Sequence, residues 1–295
     1  MAAVSPLASD APAARAASHS RPLAEILGAT AIGPQRFTSK IEAVRVDVLV
    51  TERGKPVRGL QASDFELVDN GVRQQVDLAG FEQPLNVILA LDMSGSVAGA
   101  RLDDLRQAGR SVLNGLRTGD RAALVTFSHL VVLRSELTTD LARVRAALDN
   151  LAGAGDTALI DGTYVAMMLG EEDVGRSLLM IFGDGLDTSS WLTSDAVVGT
   201  ARRSDVVAYG VSVGGTTSAF LRELAAATGG RSIDLESTKA LGTTFVGILE
   251  EFRGRYVISF SPRGVRQDDG WHRLQVRVKG RNGAVKARPG YFAGR

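Results

Sequence analysis

Four short apolar runs, NVILAL (86–91), RAALVTF (121–127), SLLMIF (177–182) and VVAYGVSV (206–213), are separated by stretches with a helical period. The runs are apolar on both sides, so each must be covered above and below. Leu102, Leu105, Val112, Leu113 and Leu116 share one helix face, as do Leu141, Val144, Leu148 and Leu151. Leu241, Phe245, Ile248, Leu249 and Phe252 do the same after the last run. Buried strands alternating with amphipathic helices predict an α/β fold, a doubly wound and mainly parallel sheet. VVLRSEL follows RAALVTFS too closely for a helical crossover and predicts an antiparallel edge strand.

The flanks obey a different period. In IEAVRVDVLVT (41–51), Val44, Val46, Val48 and Val50 alternate with Arg45 and Asp47, the mark of a half-buried strand. Asn70-Gly71 sits between two short strands as a hairpin turn, because both residues tolerate positive φ. Alternation returns in RYVISFSP (255–262) and HRLQVRVKG (272–280). Either flank alone has too few strands to be stable, so the two are expected to join in one small immunoglobulin-like β-sandwich. The predicted organisation is a flexible extension over 1–36, a sandwich from 37–84 plus 253–295, and the α/β domain inserted at 85–252. A short helix is expected near Leu23–Leu27.

The first apolar run ends abruptly in Asp92-Met-Ser-Gly-Ser. The carboxyl end of a strand is where open α/β sheets hold ligands. Alternation sends Asp92, Ser94 and Ser96 the same way, and Gly95 lets the chain turn between the serines. The third run repeats the pattern with Asp184 between Gly183 and Gly185, and GAGDTALIDG adds Thr157 just before a helix. Two carboxylates and three hydroxyls are hard oxygen donors suited to Mg²⁺, with Mn²⁺ or Ca²⁺ as alternatives. Neutral hydroxyls donate weakly and leave the ion room for an outside anionic oxygen. Helix starts near residues 99 and 158 would add positive potential. Asp161 and Asp187 lie close in sequence and are expected to support the site from behind. Trp191 stands on its rim, equally readable as an exposed anchor for a partner and as loop packing.

Asp-x-Ser-x-Ser at 92–96, with Thr157 and Asp184 in order, resembles the metal-ion-dependent adhesion site of von Willebrand factor A (VWA) domains. The strand and helix order over 85–252 resembles that Rossmann-like fold as well. The resemblance implies that Ser94, Ser96 and Thr157 contact a Mg²⁺-like ion. Asp92 and Asp184 would bind it directly or through water, and a Glu or Asp of a partner would complete the shell. The flanking sequence and the closing ARPGYF resemble a bacterial group of VWA-related proteins, which implies an extracytoplasmic, secreted location. A protein or other carboxylate-bearing ligand is the expected partner, in adhesion or assembly. A second reading makes the chain a structural subunit whose metal only orders the site loops.

Other classes fit poorly. There is no cysteine, so disulfides, zinc-thiolate sites and Cys nucleophiles are excluded. With 34 basic and 33 acidic residues the chain has no excess charge for nucleic acid. No apolar run reaches the ~18 residues of a membrane span. In the N-terminal stretch Pro6, Asp10, Pro12 and Arg15 interrupt each candidate signal sequence. A phosphatase of the haloacid dehalogenase type needs an acid two residues after its nucleophilic Asp, where Ser94 stands. No GxxxxGK[ST] loop is present. His19, His129 and His272 are scattered, so no hydrolytic pair is expected and the protein is read as a non-enzyme.

Overall fold

The computed structural model describes residues 43–79, 83–171, 175–183, 186–214, 218–266, 270–281 and 283–293. The expected extension over 1–36 and the helix near Leu23–Leu27 lie outside them. The chain begins with β1 (Val44–Glu52), β2 (Lys55–Pro56), β3 (Phe65–Asp69), β4 (Val72–Gln74) and β5 (Asp77–Ala79). Asn70 at φ 46° and Gly71 at φ 88° close the β3–β4 hairpin, with Asp69 paired to Val72. That left-handed pair matches the twist of the two strands.

The α/β part follows as β6 (Leu85–Asp92), α1 (Ala100–Asn114), β7 (Arg121–Phe127), β8 (Val131–Thr138), α2 (Leu141–Asp149) and α3 (Leu159–Leu169). It continues with β9 (Arg176–Phe182), α4 (Ser194–Ala201), β10 (Val207–Val213), α5 (Ala219–Thr228), β11 (Arg231–Leu235) and α6 (Leu241–Arg253). The sheet runs β11-β10-β9-β6-β7-β8, parallel except for the β7–β8 pair. Side chains of β6 divide strictly between two cores. Val87, Leu89 and Leu91 meet Leu105, Val112, Phe245 and Phe252, whereas Ile88 and Ala90 meet Leu159, Ala166, Val197 and Leu221. Period-two alternation under helices on both faces therefore explains why the run is apolar throughout.

After α6 come β12 (Tyr256–Phe260), β13 (Trp271–Val278), β14 (Ala284–Lys286) and β15 (Gly290–Phe292). Strands from both ends of the chain share two sheets. β12 lies between β1 and β5, while β13 lies between β3 and β15. Val46, Val48, Phe65, Leu67, Tyr256, Ile258 and Leu274 form one core between these sheets. Arg176 of β9 donates to Asp47 of β1 and to Phe252 O, and Arg288 donates to Asp205 at 2.6 Å. These pairs tie the α/β sheet to the outer strands.

His272 is buried in that β core, where Asp69 Oδ1 lies 3.0 Å from its Nδ1 and Tyr291 donates to Asp69 Oδ2 at 2.8 Å. Burial holds the Tyr291 phenol well above its ordinary value, and the bond to Asp69 adds to this. Tyr209 of β10 is raised too, by burial first, with Arg255 acting against it and Glu251 with it. The folded chain keeps these protons above pH ~10, where an unfolded tyrosine ionises. The unfolded state then binds fewer protons, so stability falls as pH rises, by about 1.4 kcal/mol per pH unit for Tyr209. Denaturant titrations should show about half of that slope at pH ~10 and approach it above pH ~11, with Tyr291 adding a contribution of the same sign. Tyr209→Phe should remove the Tyr209 share and leave that of Tyr291; an unchanged slope would refute the assignment.

Candidate functional site

Leu91 pairs with Phe182 and Asp92 with Phe127, so β6 ends level with its neighbours at the carboxyl end of the sheet. Asp92 is fully buried there, and its Oδ1 accepts from Ser94 N at 2.7 Å. The chain then makes a single 3₁₀ turn over Gly95–Val97, with Val97 buried beneath it. That turn brings Ser94 Oγ to 3.0 Å from Ser96 Oγ. Ser94 is buried and Ser96 is exposed, so the hydroxyl pair opens outward from the carboxylate.

Thr157 comes from the loop before α3 and is nearly buried. Gly95 N donates to Gly155 O at 3.0 Å, and Ala154 N donates to Met93 O at 2.8 Å. Gly155 has φ +88°, and a Cβ there would lie 2.4 Å from His129 Nδ1, so only glycine lets the loop pass under that ring. Ala158 N donates to Ser128 O at 2.7 Å. A fourth loop joins through Thr157, whose N donates to Thr188 Oγ1 at 3.0 Å and whose O accepts from Thr188 N at 2.9 Å. The loops after β6, after β7, before α3 and before α4 are thus one hydrogen-bonded unit.

Asp184 lies outside the described residues. Its neighbour Gly183 is described, and a Cβ on Gly183 would come 3.8 Å from Asp92 Oδ2, so the end of β9 runs beside Asp92. Asp161 and Asp187 serve the backbone. Asp161 accepts from the amides of Trp191 and Leu192, both at 2.9 Å. Asp187 Oδ1 accepts from Ile160 N at 3.1 Å and from Ser190 Oγ at 2.5 Å. Sequence reasoning passed over Thr188 and Ser190, which bind the Thr157 loop. The hydroxyl-rich run LDTSSWLTS (186–194) was the available signal.

The donor chemistry fits a small hard cation. Ligands at ~2.1 Å in an octahedron stand roughly 3.0 Å apart when adjacent, which matches the 3.0 Å between the serine hydroxyls. Among the described residues no three acidic or His side chains gather as a metal group. Ser94 and Ser96, with Thr157 on the adjoining loop, would add neutral hydroxyl donors to the carboxylate of Asp92. α1 and α3 both begin at this end, and Arg101 Nη1 donates to Ser96 O at 3.4 Å. These helix starts and Arg101 add positive potential beside the carboxylates of Asp92, Asp161 and Asp187.

Fold and site together define a class. Residues 87–196 match the family model of the von Willebrand factor type A domain. A protein of Synechocystis sp. is 30% identical over 107 residues, which cover 34% of this chain and only 26% of that protein. In fold, the chain resembles von Willebrand factor type A from Catenulispora acidiphila, with a TM-score of 0.53 at 14% identity over 83% of this chain and 75% of that one. It also resembles proximal thread matrix protein 1 of the mussel byssus, described with a zinc-occupied MIDAS motif. There the TM-score is 0.52 at 16% identity, covering 65% of this chain and 49% of that one. No described helix is long and apolar enough to cross a membrane.

Proposed function

We propose that the chain is a non-enzymatic, divalent-cation-dependent binding module. Asp92, Ser94, Ser96, Thr157 and Asp184 would hold Mg²⁺, with Mn²⁺ or Ca²⁺ as alternatives. The ion would accept a carboxylate from a protein or another acidic ligand in adhesion or assembly. The observation that carries this reading is the Ser94–Ser96 hydroxyl pair, spaced as adjacent octahedral ligands and opening outward from buried Asp92. Three of the five donors are neutral hydroxyls, so part of the ion's charge would stay available to an outside anion. The outer strands would act as an immunoglobulin-like support, and the module would work outside the cytoplasm.

The rival reading gives the metal only an ordering role. Against it, the site loops are already joined to each other by main-chain bonds such as Gly95 N to Gly155 O and Thr188 N to Thr157 O. Calorimetric titration of the full chain separates the readings. One saturable Mg²⁺ or Mn²⁺ site per chain is expected, with a melting temperature that changes little in chelator. No saturable binding would end the cation reading, and a steep loss of melting temperature in chelator would favour the rival.

A further inference from the structure

The sheet β15-β13-β3-β4 turns one face to the outer-strand core. Phe65, Leu67, Leu274, Val278 and Tyr291 point into that core. Alternation therefore puts Arg273, Gln275 and Arg277 of β13 on the opposite face, and all three are exposed. Strand pairing joins their neighbours into the same surface. Arg277 stands opposite Glu66 and Gln275 opposite Val68, which in turn faces Arg73 of β4. Arg73 reaches back to Glu66 at 2.9 Å. Farther along, Arg273 pairs with Gly290 and Trp271 with Phe292. The Trp271 indole lies across Gly290, where a Cβ would come 2.4 Å from Cζ2, and its centroid is 5.2 Å from that of Phe292. Arg203 stacks on Phe292 at 3.7 Å.

The outward positions of these four strands thus hold three arginines and one glutamate, in a chain whose 34 basic and 33 acidic residues nearly cancel overall. Glu66 is already taken by Arg73, and neither Arg273 nor Arg277 has an ion-pair partner among the described residues. A rise of ~3.4 Å per residue and a strand spacing of ~4.8 Å set the main chain of Arg273 and Arg277 about 14 Å apart, with Arg73 about 12 Å from each. Arginines so spread suit an extended polymer with a charge at every repeat, and each guanidinium can take a carboxylate in a two-pronged bond.

We propose that this face binds an acidic polysaccharide, with uronic carboxylates on Arg273, Arg277 and Arg73 and a sugar ring beside Trp271. The site uses no residue of the candidate ion site and needs no cation. A single-stranded nucleic acid would stack successive bases on several rings, and here Arg203 already covers Phe292. A bilayer takes up indoles at its headgroup level, whereas this one lies along its own sheet against Gly290. A protein interface has a more apolar centre than Arg, Gln and Val provide.

Titration of oligogalacturonate into the full chain in EDTA tests the proposal. Saturable binding is expected, weakening as salt is raised, with none for the methyl-esterified oligomer. Arg273→Gln combined with Arg277→Gln should weaken it on the order of 10–100-fold at an unchanged melting temperature. Asp92→Asn should bind the oligomer as the wild type does. Absence of binding in EDTA, full binding by the double variant, loss of binding in Asp92→Asn, or equal binding of the methyl ester would overturn the proposal. So would tighter binding of oligothymidylate or of phosphatidylglycerol vesicles. The cation reading is tested separately, by Mg²⁺ titration.

Discussion

Replacing Asp92 by Asn should lower divalent-cation affinity on the order of 100-fold or more while leaving the fold intact. The side chain is fully buried at the end of β6, and its charge is the strongest described donor beside the serine hydroxyls. The local geometry should survive, because the amide oxygen of Asn can still accept from Ser94 N, as Asp92 Oδ1 does at 2.7 Å. What disappears is the negative charge that offsets a divalent ion, and hydroxyls alone are weak ligands for Mg²⁺ or Ca²⁺. Even altering groups that only support a ligand commonly costs 10–100-fold in metal affinity, and a carboxylate at the ion should cost at least as much. Titration calorimetry with Mg²⁺ and thermal melting of the same sample read both halves. Wild-type affinity in Asp92→Asn would place the ion elsewhere.

Arg255→Ala should do the opposite, lowering stability by about 3 kcal/mol without touching cation affinity. Arg255 is fully buried on the link between α6 and β12. It donates to Tyr209 OH at 2.8 Å and to Gly229 O at 2.7 Å, and Tyr209 in turn donates to Glu251 at 2.7 Å. Truncation of a large buried side chain costs about 2–5 kcal/mol, and an orphaned carbonyl adds about 1–3. Removing a desolvated charge returns part of this, which is why the net falls near the lower end. For a chain of this size such a loss should lower the melting temperature by about 6–12 °C. Arg255→Lys should recover only part of it, since an ammonium cannot span the same two acceptors from one plane. A change below ~1 kcal/mol would mean the site collapses and repairs itself more readily than this packing allows.

Much of the α/β part was legible because its signals are local. The run ending in Asp92 carries its burial in its own composition, and the two serines after it meet through a local 3₁₀ turn where strand alternation was expected. β11 was passed over because RSIDL is half-buried and takes its strand form from pairing beside β10. α4 and α5 are short, and their apolar faces become clear only against Ala208 and Leu179 beneath them. Trp191 was equally readable as an anchor and as packing, since exposure is a property of the surroundings. His272 looked unremarkable until Asp69 stood beside it, 203 residues away along the chain.

By itself the sequence determined the central strands of the parallel sheet, the α/β class and the hard-oxygen character of the donors, because periodicity and donor chemistry are carried by residues close in the chain. Only the tertiary structure decided that the Thr157 loop is bonded to the turn after Asp92 and that Asp161 serves the Trp191 loop. It alone decided that an arginine lies fully buried beside Tyr209. Each of these depends on where a distant segment arrives, and burial and ligand spacing follow from that arrival.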